Sequence, residues 1–96
     1  MQQEGRKFDA EKARWDLLPI ESIEEMVQIL TMGAKKYGEQ NWKKVEAFRY
    51  DAALLRHYAA WKKGEKIDQE SGRSHLAHIL CNVAFLLYKE LHEEKA

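Results

Sequence analysis

One helix constrains everything this chain can fold into. Residues 64–87 read G-E-K-I-D-Q-E-S-G-R-S-H-L-A-H-I-L-C-N-V-A-F-L-L, a polar loop running through Ser71-Gly72 into a helix that is apolar around most of its circumference. At about 100° per residue, Leu76, Ile79, Leu80, Val83, Leu87 and Leu91 form one broad face. Ala77, Cys81, Ala84, Phe85 and Tyr88 cover much of the rest, leaving a narrow polar line of His75, His78, Asn82 and Lys89. A helix apolar on nearly all sides is normally buried. Imidazoles and amides carried inward with it need hydrogen-bond partners. The polar line is therefore the expected wall of a site.

Two further helices supply surfaces to cover it. Pro19 suits a first helical turn, Glu21, Glu24 and Glu25 complement the positive end, and Gly38 is a stop. Between them Ile20, Ile23, Met26, Val27, Leu30, Ala34 and Tyr37 recur at helical spacing, predicting a helix over 19–37. Along the border of that stripe run Glu24, Gln28, Thr31 and Lys35, with Glu21 and Glu25 pointing further out. A second helix is predicted over 49–63, ended by Gly64, with a stripe of Tyr50, Ala53, Leu54, His57, Tyr58 and Trp61. On its other side Ala52, Leu55 and Ala59 form a small close-packing face. The third helix is predicted over 74–95. The sequence shows no strand-like alternation, so the fold class is all-α, preceded by an extended N-terminal arm. Three helices cannot bury one that is apolar all round. A homo-oligomeric bundle, dimer or larger, is expected.

Composition narrows the partners. With 96 residues the chain is one domain over 1–96, near the small end for a self-sufficient core. Its 16 basic and 16 acidic residues balance, so no generic attraction to nucleic acid or to an acidic membrane follows. The single cysteine, Cys81, has apolar neighbours and reads as a packed thiol in a reducing compartment. No targeting signal or membrane-length apolar run is present. A cytoplasmic protein is expected.

The polar edges of the three helices have a shared chemical use if they face one another. Carboxylates can hold a divalent cation that bridges phosphate oxygens. Lysine and arginine neutralise the remaining phosphate charge through directed hydrogen bonds. The cations on offer are Lys12, Arg14, Lys35, Arg49 and Arg56, and Trp15, Tyr37 or Trp42 could stack on a base. Each has a plainer alternative. Trp15, Leu17 and Leu18 read equally as pins holding the arm to the core, Glu24 and Glu25 as helix-dipole partners, and His57 as a buried core histidine. His75-x-x-His78 spacing lets two imidazoles share a metal, with Asp68 or Glu70 completing the site, yet histidines near a helix start also serve as ordinary hydrogen-bonding residues.

Five ordered segments carry a resemblance: K-A-R-W-D-L-L-P (12–19), G-A-K-K-Y-G-E-Q-N-W (33–42), L-L-R-H-Y-A-A-W (54–61), G-E-K-I-D (64–68) and E-S-G-R-S-H-L-A-H-I-L-C-N (70–82). Together they resemble the phage and prophage N-terminal domain family named for dATP/dGTP diphosphohydrolases (MazZ-like), spoken of alongside the all-α MazG-type pyrophosphatases. The resemblance implies metal-dependent hydrolysis of purine deoxynucleoside triphosphates to monophosphate and pyrophosphate, with Mg²⁺ or Mn²⁺, in an assembly of several subunits. If phage-encoded, the protein would act in the host cytoplasm. On that reading Glu24, Glu25 and His75 are the catalytic candidates, and Glu24, Asp68, Glu70, His75 and His78 the metal ligands. The purine nucleotide would lie against Lys12, Arg14, Trp15, Lys35, Asn41, Trp42, Arg49, Arg56, His57 and Asn82.

The acidic motifs of MazG-type enzymes, E-E-x-x-E and E-x-x-D, are only partly present. Glu24-Glu25-Met26-Val27-Gln28 has glutamine in the third acidic place, and the third helix shows His75-Leu76-Ala77-His78 where E-x-x-D would fall. Two other readings therefore stand beside the hydrolase: a non-catalytic oligomer that sequesters a nucleotide or nucleotide signal, and a structural helical module.

Overall fold

A computed structural model of the chain describes Gly5, Phe8 and residues 10–93. The architecture is all-α: α1 spans Ile20–Tyr37, α2 Ala47–Lys62 and α3 His75–Leu91, with short 3-10 turns at Trp15–Leu17 and Asn41–Lys44. Among the described residues the only β-type pairing is an isolated antiparallel bridge between Ile67 and Ser74. The helix bounds fall within two residues of the predicted ones, except at the end of α3. There the helix stops at Leu91, where an end near residue 95 was predicted, and residues 94–96 lie outside the described part. Leu91 is 70% exposed, so the last turn has no packing to sustain it.

Capping chemistry fixes the loop that matters most. α2 ends in a Schellman motif: Gly64 takes φ +103°, its N–H donates to the Trp61 carbonyl, and the Glu65 N–H reaches back to Ala60. The chain then folds on itself between residues 66 and 75. His75 N–H donates to the Lys66 carbonyl at 2.9 Å, Asp68 N–H to Arg73 at 2.8 Å, and Gly72, at φ +76°, donates to Asp68 at 2.8 Å. Ser74 caps α3 by accepting the Leu76 N–H at 3.0 Å. The loop thus starts α3 with His75 already turned inward.

α3 is the floor of the fold. α2 packs along it most extensively, and α1 packs against it less. The α2–α3 seam buries Tyr50, whose hydroxyl donates to the Trp42 carbonyl at 2.6 Å. Phe85 lies between the Tyr50 ring (4.7 Å between centroids) and the stacked Trp42 ring (5.0 Å), with Tyr88 edge-on to Trp42. On the α1 side the Cys81 thiol lies 3.6 Å from the Met26 carbonyl, and burial pushes that thiol up to about 11. It is a packed, unreactive thiol.

The orientation of α3 agrees with the reading of its polar line as the wall of a site. The polar line points inward: His75 and Asn82 are buried, His78 is half-buried, and Lys89 reaches the Lys43 carbonyl at 3.2 Å. Leu76, Leu80, Val83 and Leu87 face outward, exposed by 45, 37, 46 and 49%. Two helices can cover only part of α3, and the part they cover is the one where polar groups find partners. On α2, Leu55 is also exposed, as is Tyr58, which was placed in the inward stripe.

Candidate functional site

Three histidines converge where α2, the 64–74 loop and the start of α3 meet. His57 Nδ1 and His75 Nδ1 lie 2.8 Å apart. The His75 Nε2 is 2.9 Å from a Glu65 carboxylate oxygen. A carboxylate accepts only, so Nε2 carries the hydrogen in this pairing and a neutral His75 presents an unprotonated Nδ1 to His57. His57 also stacks on His78, with ring centroids 4.4 Å apart and planes 8° from parallel. His78 Nε2 meets the Ser71 hydroxyl at 2.7 Å and a carboxylate oxygen of Asp68 at 3.5 Å. That oxygen also accepts the Ser71 N–H at 2.9 Å.

These contacts set the electrostatics. Burial, reinforced by the neighbouring His78, lowers the His57 pKa below its ordinary value. Burial also lowers His78, against the opposing pull of Asp68. Burial alone would raise Asp68, but the hydrogen bonds from Ser71 and the adjacent imidazoles outweigh it and hold the carboxylate low. Neutral imidazoles beside an ionised carboxylate are therefore the favoured state at neutral pH. Asp68 and Ser71 approach the same nitrogen of His78, so the three do not form a nucleophile–base–carboxylate relay, which would need the acid on the other ring nitrogen.

Above this cluster is a cleft of about 650 Å³ between α1 and α2. Lys35, Arg49, His57, Asp68, Glu70, His78 and Asn82, all expected site residues, line it together. Lys36, Tyr50 and Ser71 line it too and were not foreseen. An adjoining cavity of about 670 Å³ is lined by Asn41, Trp42, Tyr37, Val45 and Phe85, and it shares Arg49, Tyr50 and Tyr37 with the cleft. Lys35 has no ion-pair partner among the described residues, whereas Lys36 holds Glu70 at 2.9 Å and Arg49 stands 3.7 Å from Glu46.

Other expected site residues lie elsewhere. Glu24 is exposed and lines neither cavity, and Glu25, expected to point outward, turns in to pair with Arg73 at 3.1 Å. Arg56 is exposed away from both cavities. In the arm, Arg14 closes on Asp16 at 2.7 Å, and Trp15 is 79% exposed with no stacking partner among the described residues. Lys12 is exposed as well. Asn82 donates to the His78 carbonyl at 2.9 Å, and Trp42 is committed to its aromatic cluster.

Among the described residues one set of possible metal donors assembles: His57, Asp68 and His75, with one donor atom from each within 4.8 Å of the others. A magnesium site needs near-octahedral oxygen ligation. Of the carboxylates nearby, Glu25 is paired with Arg73, Glu70 with Lys36 and Glu65 with His75. Asp68 alone does not supply such a set, so the residues present do not fit Mg²⁺.

Comparison with known proteins gives the lineage of this arrangement. Residues 2–96 match the family described as dATP/dGTP diphosphohydrolase, N-terminal. The chain belongs to that family. A dATP/dGTP diphosphohydrolase of Salmonella phage PMBT28 is 33% identical over 84 residues, covering 88% of this chain and 29% of the relative. The chain thus spans under a third of the length of the curated relative it matches. No solved structure matches it.

Among the described residues no helix is long and apolar enough to cross a membrane.

Proposed function

We propose that this domain binds a purine deoxynucleoside triphosphate in the cleft between α1 and α2, as the nucleotide-recognition part of a dATP/dGTP diphosphohydrolase. The observation that carries the reading is the junction of a cationic cleft and an aromatic cavity across Tyr37, Arg49 and Tyr50. Lys35, Lys36 and Arg49 are the phosphate contacts, with Lys35 uncommitted and Arg49 able to offer a planar donor fork. Lys36 and Glu70 form an exposed pair of the kind that contributes little to stability, so a phosphate can replace the carboxylate at small cost. The cavity by Tyr37 and Trp42 is where the base would lie.

Self-association belongs to the same proposal. Leu76, Leu80, Val83 and Leu87 follow a four-three-four spacing along the outer side of α3, the spacing that a helix-pair seam uses. A second copy is the occupant proposed for this stripe, in a dimer or a larger assembly.

Hydrolysis within this domain, to monophosphate and pyrophosphate, is the second reading. It is supported by the family's description and by a metal-capable group at the floor of the cleft. Titration calorimetry with dGTP and dATP, in chelator and then in Mg²⁺ or Mn²⁺, separates the readings when product is analysed at the end. Binding in chelator with intact nucleotide supports recognition alone. Release of pyrophosphate with either metal supports hydrolysis, and absence of binding under every condition removes both.

A further inference from the structure

We infer that His57, Asp68 and His75 hold a borderline divalent ion of the zinc, cobalt or nickel class, with Glu65 as the outer carboxylate that orients His75. Three separate elements deliver the donors: α2 brings His57, the loop Asp68 and the first residue of α3 His75. The two Nδ1 atoms face each other at 2.8 Å, an arrangement in which neutral rings share a single proton. Donors on a tetrahedral ion at about 2.0–2.1 Å stand ~3.3 Å apart, so an ion replaces that proton once the two nitrogens open by about half an ångström and the Asp68 oxygen, within 4.8 Å of them, is drawn in.

Glu65 makes this more than a chance cluster. Its carboxylate takes the Nε2 hydrogen of His75 at 2.9 Å, which fixes the ring and leaves Nδ1 as the donor. A ligating histidine held through its second nitrogen by a carboxylate is the recurrent outer-shell arrangement of metal sites. The Ser71 N–H fixes the Asp68 carboxylate in the same way. Two nitrogens and one oxygen suit borderline metals, and affinity for such a set rises from manganese through cobalt and nickel, with zinc also high. Magnesium finds too few oxygens here. Because His57 and Asp68 also line the cleft, a fourth coordination position would open onto the proposed nucleotide site.

Metal alone tests this, independently of any nucleotide. Titrating Co²⁺ into the 96-residue chain in metal-free buffer is expected to give one equivalent of an intense visible d–d band. Zn²⁺ should displace it stoichiometrically, and a ~100-fold excess of Mg²⁺ should leave it in place. Glu65 is half-exposed, so Glu65→Gln should retain the helical circular dichroism while weakening Zn²⁺ binding ~10–100-fold. His57→Ala should lose the band, and His78→Ala, outside the donor set, should keep it. Absence of a one-equivalent band, displacement by Mg²⁺, or wild-type Zn²⁺ affinity in Glu65→Gln overturns the assignment. A Co²⁺ band in a chain that binds no nucleotide would leave this inference standing and remove only the nucleotide reading.

Discussion

The two sides of α3 are made from one stretch of seventeen residues and meet opposite fates. Its inner side carries His75, His78 and Asn82, and every one of them is hydrogen-bonded: to Glu65 and His57, to Ser71, and to a helix carbonyl. Its outer side carries four aliphatic residues with a third to a half of their surface in water. Ordinary partitioning would place them the other way round. That inversion is what the proposed site on one side and the proposed second copy on the other would require.

Charge on the outer side gives the largest expected effect. Val83→Glu, or Leu80→Glu, would place a carboxylate in the apolar seam. Sedimentation equilibrium should find the wild type as a dimer or larger and the variant as a monomer; a monomeric wild type breaks the comparison outright. On the inner side, Asp68→Ala leaves the Ser71 N–H and His78 without a carboxylate. The expected loss is about 1–3 kcal/mol in denaturant unfolding, and an unchanged midpoint would mean that the loop, rather than the carboxylate, holds the cluster together.

Acid should act on the inner side specifically. With folded-state pKa values of His57 and His78 below the ordinary 6.5, the unfolded chain binds protons more readily. Their contribution to stability is therefore complete above about pH 6.5 and is lost as pH falls through that value toward the folded-state pKa values. Unfolding in chelator should show a lower midpoint at about pH 5.5 than at about pH 7.5. His78→Gln should flatten that dependence; equal slopes in the two proteins would count against burial of the imidazoles. The smallest effect belongs to the arm. Arg14→Ala removes a fully exposed local pair and should leave the melting temperature unchanged.

Local features of the sequence are legible in this fold, and long-range ones much less so. Proline and glycine punctuation, helical period and the Ser74 cap bring helix bounds close, because each depends on neighbours within a turn. His57 in the middle of an apolar stripe marks a buried, hydrogen-bonded imidazole; it is hydrogen-bonded but only half-buried, because its ring also borders the cleft. Its partner His75, eighteen residues away, is set by how the loop folds, and no periodicity encodes that. The exchange of Glu24 for Glu25 has the same origin. At 100° per residue a helix border can be misjudged by one position, and the deciding contact is Arg73, forty-eight residues on. Ser71 had a local signal, since an aspartate three residues before a serine in a glycine-bearing loop favours a side-chain-closed turn. The inward turn of the polar line of α3 is legible, because buried imidazoles and amides need partners that only the other helices and the loop supply.

Calorimetry of dGTP against the wild type and Arg49→Ala in chelator tests the central claim most directly, because Arg49 lies where the cationic cleft meets the aromatic cavity. Saturable binding by the wild type is expected, weakened roughly tenfold or more when a charge-assisted hydrogen bond of about 1.5–3 kcal/mol is lost. Equal affinity in the two proteins, or no binding to the wild type, would contradict it.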